Sequence, residues 1–273
     1  MAASRPPVGA MLREWRRSRR FSQLELALEA GVSARHLSFV ETARSRPSAQ
    51  LVLHLAHRLD IPLRERNELL LAAGYAPAYA QRELEAPEMG PVRETIEQVL
   101  RAHEPYPALV VDRHWDLVSA NAAFDSLVGS AASHLLAAPV NVLRLSLHPE
   151  GLAPRIVNLE QWRRHLLERL KRDVLATGDP ALSALHQELG RYPNGNAGQP
   201  LEQASADLAV PLHVRCRDTE FSFISTRTTF DAALDVTVAE LSIESFFPAD
   251  TRTACGMSAS ASPNTSVSRS ISY

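Results

Sequence analysis

Apolar side chains recur at helical spacing through the first third of the chain and then give way to short runs of branched residues. Val8, Leu12 and Trp15 share one face of a first helix. Ser22 stands three residues before Glu25, a capping box in which each side chain satisfies a backbone N–H of the other's end. It predicts a second helix packed through Leu24, Ala27 and Ala30 and ended by Gly31, because glycine takes the left-handed conformation of a helix end cheaply. Ser33 predicts the N-cap of a third helix, with Leu37 and Val40 turned inward and Ala34, Arg35, Ser38 and Phe39 on the outer face. Ser48 opens a fourth helix carrying Leu51, Leu55 and Leu59, and Pro62 a fifth with Leu69, Leu70 and Ala73 before Gly74 and Pro77. Two helices joined by Gly31-Val32-Ser33, the second exposing its first turn, form a helix-turn-helix able to enter a DNA major groove.

The pattern changes after the break Ala86-Pro87-Glu88-Met89-Gly90-Pro91. A helix is expected over 91–103, then strands over 108–111 and 117–119, then a helix capped by Asn121 that carries Phe124 and Leu127. Further helices follow, one from Asn158 through Trp162, Leu166 and Leu170, another from Asp179-Pro180 through Leu189. Residues 191–206, rich in Gly, Asn, Pro and Gln, predict a loop. The alternating runs 208–215, 220–230 and 236–247 predict antiparallel strands. The serine-rich stretch 255–273 predicts a disordered tail; an altered reading frame would also produce it, and no function is read from it.

Composition sharpens this division. At 273 residues and 45% hydrophobic content the chain can bury the cores of two ordinary domains. Residues 1–82 hold thirteen arginines against seven acids, whereas the whole chain stands at -2, so the remainder is acidic. A basic unit joined to an acidic one points to a polyanion partner for the first alone. No apolar run reaches the length of a membrane span and no secretory h-region opens the chain, which implies a cytoplasmic protein without membrane contact. Cys216 and Cys255 lie far apart, and the pair His54 and His57 lacks a third ligand, so neither disulfide, metal nor cofactor is expected. There is no G-x-S-x-G, no H-E-x-x-H and no glycine-rich phosphate loop, and His148-Pro149-Glu150 reads as a turn; an enzyme is not expected.

The spacing Gln23-x-Glu25-x-Ala27-x-x-x-Gly31-x-Ser33, followed by Glu41 and Arg44-Ser45-Arg46-Pro47-Ser48, resembles the lambda repressor-type helix-turn-helix of the XRE family. The resemblance implies contacts to a double-stranded operator from Gln23 and Ser33 at helix starts, from Ala34, Arg35, Ser38 and Phe39 facing bases, and from Arg44 and Arg46 on phosphates. These roles are chemically sound, since Arg forks onto guanine and Phe or Ala touches the thymine methyl. The family usually carries glycine where this chain has Ala43.

Two strands followed by a helix opening on Asn121 resemble the start of a PAS domain. The segments EPYPALVVD at 104–112, NVLR at 141–144, HPEGL at 148–152, IVN at 156–158, GDP at 178–180 and FFPAD at 246–250 are similar to the ligand-binding domain of MmyB-like transcription regulators. The fold expected is therefore α+β: an all-α lambda repressor-like domain of five helices over 1–80, a connecting helix over 81–106, and a PAS-like sensor over 107–254. The resemblance implies a cavity for a small apolar effector, fatty-acid-like ligands first. Trp115, Phe124, Trp162, Phe221 and Phe223 are candidates to line it, and Arg144, His148 and Arg155 are candidates for a carboxylate. A homodimer is expected, because one short recognition helix reads few base pairs. The competing reading is a DNA-bound scaffold whose PAS-like unit only dimerises.

Overall fold

A computed structural model of the chain describes residues 6–193, 210–216, 219–230 and 233–260. The chain divides into two units, the first built on residues 1–82 and the second on most of the chain from 83 onward. The greater part of the expected 191–206 loop, from 194, lies outside the described residues, as does 261–273.

The first unit contains five helices: α1 (Val8–Ser18), α2 (Gln23–Glu29), α3 (Ala34–Glu41), α4 (Ala49–Arg58) and α5 (Leu63–Ala72). Their starts follow the polar caps. Ser22 Oγ accepts from Glu25 N at 3.1 Å while Ser22 N donates to the Glu25 carboxylate at 2.7 Å, closing the capping box. Ser33 and Ser48 cap α3 and α4 in the same way. Leu12, Leu26, Leu37, Val40, Val52, Leu55 and Leu69 form one core. Leu24, expected inside, is 61% exposed; Leu26 takes the buried position, with Ala27 and Ala30 beside it. The approach of α1 to α3 is close, since a Cβ on Gly9 would lie 2.1 Å from the Val40 carbonyl oxygen.

After α3 the chain reverses through Ala43 at φ 57°, with Arg44 N and Ser45 N both donating to the Phe39 carbonyl. The left-handed region costs an L-residue roughly 1–2 kcal/mol, of which glycine's greater chain entropy in the unfolded state returns a part. Ala43→Gly is therefore expected to stabilise the first unit by about 1 kcal/mol, read as a raised urea midpoint. An unchanged midpoint would show that this turn carries no strain.

The second unit is an antiparallel five-stranded sheet in the order β2-β1-β5-β4-β3, made of β1 (Ala108–Val111), β2 (Leu117–Ala120), β3 (Leu212–Cys216), β4 (Thr219–Thr229) and β5 (Ser242–Pro248). The first and last strands thus meet at its centre, the arrangement of a PAS-like sheet. Helix α6 (Gly90–Ala102), expected as a connector, packs Ile96 and Leu100 against Ala108, Val110 and Ile243 on one face. The other face is covered by α7 (Ala122–Val128), α8 (Val142–Leu147), α9 (Leu159–Thr177) and α10 (Pro180–Gly190), which enclose the largest core.

Two expectations fail here. The run 236–247 is not one strand: Val236–Glu240 is a short helix, α11, and β5 begins only at Ser242. Branched residues favour strand, but the Asp235 carboxylate accepts the Thr237 N–H at 2.9 Å and starts a helical turn instead. Nor is the segment from 255 wholly without structure, because Thr251–Ser260 forms α12. Asp250 caps it through Thr253 N at 2.6 Å, the Thr253 hydroxyl accepts from Ser222 N on β4, and Met257 packs on the core. These anchors outweigh a serine-rich composition.

Candidate DNA interface and effector cleft

On the first unit, Ser33 caps α3 by accepting from His36 N at 3.1 Å, which orients the first turn. Arg35 projects exposed from that turn, its guanidinium 5.4 Å above the Phe39 ring, while Ala34, Ser38 and Phe39 are half-buried around it. The four residues expected on the outer face are thus together, with a cation resting on an aromatic plate. Arg44 is exposed just beyond α3.

Two of the expected phosphate contacts are otherwise engaged. Gln23 Nε2 donates to a Glu41 carboxylate oxygen at 2.7 Å, which sets the start of α2 against the end of α3. Arg46 turns Nε and one Nη onto the Ala73 carbonyl at 3.2 and 2.9 Å and lies over Tyr75, so it pins the loop to the end of α5.

The residues that hold this surface together were missed in the sequence. Arg16 forks onto Glu41 at 2.6 and 2.9 Å, and its remaining nitrogen donates to the Phe21 carbonyl at 2.7 Å. Both side chains are buried, with exposures of 8% and 1%. Burial pushes the Glu41 carboxyl up, but the hydrogen bonds from Arg16 and Gln23 and the guanidinium charge outweigh it and hold the group below its ordinary value. An acid at the close of a helix whose inward residues are Leu37 and Val40 was the available signal.

On the second unit, Trp115, Phe124, Trp162, Phe221 and Phe223 all belong to one buried core, none more than 8% exposed. The polar candidates are tied to structure. Arg144 forks onto Glu188 at 2.8 Å twice. Tyr192 also donates to Glu188, and burial beside that carboxylate pushes its phenol up to about 12. Arg155 donates to the Leu127 and Arg215 carbonyls, to Ser130 Oγ and to Cys216 Sγ. His148 Nδ1 accepts the Glu150 N–H at 3.1 Å, the turn read from the sequence. His134, His148 and Glu150 bring donor atoms within 4.8 Å of one another at the surface, with His148 Nδ1 already engaged by the Glu150 N–H.

What the sequence did not disclose is a cleft of about 340 Å³ lined by His165, Arg169, Arg172 and Asp173 of α9 and by Ser225 and Arg227 of β4. Arg169 is fixed by Glu244 of β5 at 2.6 and 3.1 Å. Arg227 is fixed by Asp173 at 3.1 and 3.2 Å. Trp115 donates Nε1 to Asp173 at 3.0 Å, with the two guanidiniums 5.0 and 4.9 Å from its ring. Its own backbone is left-handed, φ 67°, an uncommon state for a bulky residue. Burial, then the charges of Arg169 and Arg172, pushes His165 down. The residues at 165, 169 and 172–173 share a helix face at helical spacing, yet nothing in the sequence joins them to Arg227.

Residues 92–256, more than half of the chain, match the MmyB-like transcription regulator ligand binding domain. The chain belongs to the MmyB-like transcription regulator family. Residues 12–66 of this MmyB-like protein match a helix-turn-helix family, so a DNA-binding domain precedes a ligand-binding one, the organisation of a ligand-responsive DNA-binding regulator. No curated protein matches the chain. Among solved structures, an RNA-binding light-oxygen-voltage receptor aligns at 17% identity and a TM-score of 0.27, over 94% of this chain and 62% of the receptor's. The chain thus spans less than two thirds of that receptor's length. No helix among the described residues is long and apolar enough to cross a membrane.

Proposed function

We propose that this chain is a sequence-specific transcriptional regulator of the cytoplasm whose α3 reads operator bases and whose second unit answers to a small molecule. The observation that carries the reading is the outer face of α3, where Arg35 stands exposed over Phe39 beside Ala34 and Ser38. Arg35 forks onto guanine O6 and N7, Phe39 or Ala34 meets a thymine methyl, and Ser33 and Gln23 present the starts of α3 and α2 to phosphate. Arg44 neutralises backbone charge, and Arg46 serves the same loop by anchoring it. Two copies act together, with half-sites about one helical turn apart.

Gel shifts on the region upstream of its own gene, run against salt, test this. Arg35→Ala is expected to cost about 1–3 kcal/mol on the operator and to relax one base position. Arg44→Ala is expected to weaken all sequences alike and to lower the salt slope by about one. Equal losses on random DNA from both changes would remove base reading from Arg35.

For the effector, the family match and the aromatic core of the second unit support an apolar body, with fatty-acid-like molecules the first class to test. Trp115, Phe124, Trp162, Phe221 and Phe223 are the side chains such a body would part. Arg144 would meet a carboxylate beside Glu188, through the nitrogen that carboxylate leaves over, and His148 through Nε2, since its Nδ1 accepts the Glu150 N–H.

A further inference from the structure

We infer that the cleft between α9 and β4 seats the anionic head group of the effector, with Arg172 as the cation that docks it. The inference rests on the effector reading above and adds where the charged end of that molecule binds. Three guanidiniums converge on this cleft, from Arg169, Arg172 and Arg227. Two of them are already matched, Arg169 by Glu244 and Arg227 by Asp173. Arg172 meets no carboxylate among the described residues, so the walls keep one positive charge in excess, the complement of a carboxylate or phosphate monoanion.

The two matched arginines are held in place. Each is gripped by a carboxylate on one side and by the Trp115 ring on the other, and Trp115 is itself anchored to Asp173. A surface arginine normally loses side-chain freedom when it binds an anion; here that ordering is built in for two of three, which lowers the entropic cost of binding. Glu244 sits on the central strand with its side chain 5% exposed, so the rim charge is tied to the middle of the sheet. Ser225 adds a hydroxyl donor on the β4 side. His165 is pushed down by its burial and by Arg169 and Arg172, so at neutral pH it lines the cleft as an uncharged ring. The volume suits a head group with a few carbons; a longer chain must continue beyond it.

Carboxylate and phosphate share the recognition chemistry, and the sources are separated by titrating the full chain calorimetrically with dodecanoate, dodecanol, acetate and inorganic phosphate. Dodecanoate is expected to bind at least tenfold more tightly than dodecanol. Arg172→Ala is expected to remove that advantage, and Arg172→Lys to restore part of it, charge without the fork. Arg172 is exposed, so these variants leave the core intact. Acetate or phosphate binding with the same dependence on Arg172 would identify a free anion as the ligand and uphold the seat. Dodecanoate and dodecanol binding equally, unaffected by Arg172→Ala, would overturn the seat and leave the effector reading standing. No binding by any of the four would overturn both.

Discussion

Glu41→Ala is expected to destabilise the first unit by about 3–5 kcal/mol and to abolish operator binding at physiological temperature. The argument is one of desolvation. Arg16 and Glu41 are both buried, and each is satisfied almost entirely by the other. Removing the carboxylate leaves a guanidinium with one carbonyl contact, at Phe21, in an interior built for an ion pair. Gln23 loses its partner in the same step, and with it the bond that sets the start of α2 against the end of α3. A separate variant distinguishes the loss of a partner from the value of the pair. Replacing both residues by apolar ones, Arg16→Met with Glu41→Leu, is expected to be near neutral, because no charge is then stranded. Chemical denaturation of the three proteins reads this directly, and a loss under about 1 kcal/mol for Glu41→Ala would show that the pair is not dry.

The same pair sets a pH dependence. Folding holds the Glu41 carboxyl below its ordinary value, so the unfolded chain binds a proton there more readily than the folded one does. The stabilisation is therefore fully present above the unfolded value and drains away as pH falls through the lower, folded one. It adds nothing to any change near neutrality.

How far the fold could be read in advance follows from where the signals are local. Ser22, Ser33, Ser48, Asn121 and Asp179 act on backbone groups within three residues of themselves, and each started its helix where the sequence placed it. Ala43 was marked only by the resemblance, whose family usually carries glycine there, and the structure places it in the left-handed region that glycine favours. One failure was a local cap left unread and the other a tertiary contact that overrode local preference. The valines of α11 favour a strand until Asp235 caps them, and the serines of α12 favour disorder until Thr253 and Met257 are anchored. The candidate site shows the same division. Arg35 and Phe39 are four residues apart and were placed on one helix face, whereas Arg16 with Glu41, and Arg227 with Asp173, are joined only by folding. Arg144 and Arg155 were candidates for a carboxylate, and the sequence could not show that Glu188 and a set of carbonyls already hold them.

Trp115→Ala carries the largest expected effect in the second unit, a loss of about 3–5 kcal/mol. The ring is 2% exposed and packs in the main core, so truncation leaves a cavity bounded by β1, β2 and the covering helices. It also frees Asp173 from the indole N–H and deprives Arg169 and Arg227 of the surface on which they rest. Trp115→Phe isolates the polar part: the ring stays, the N–H goes, and Asp173 keeps Arg227, so about 1 kcal/mol is expected. The two variants therefore separate packing from hydrogen bonding in a single series of urea melts. If Trp115→Phe cost as much as Trp115→Ala, the polar link to Asp173 rather than the filling of the core would be what holds α9 to the sheet.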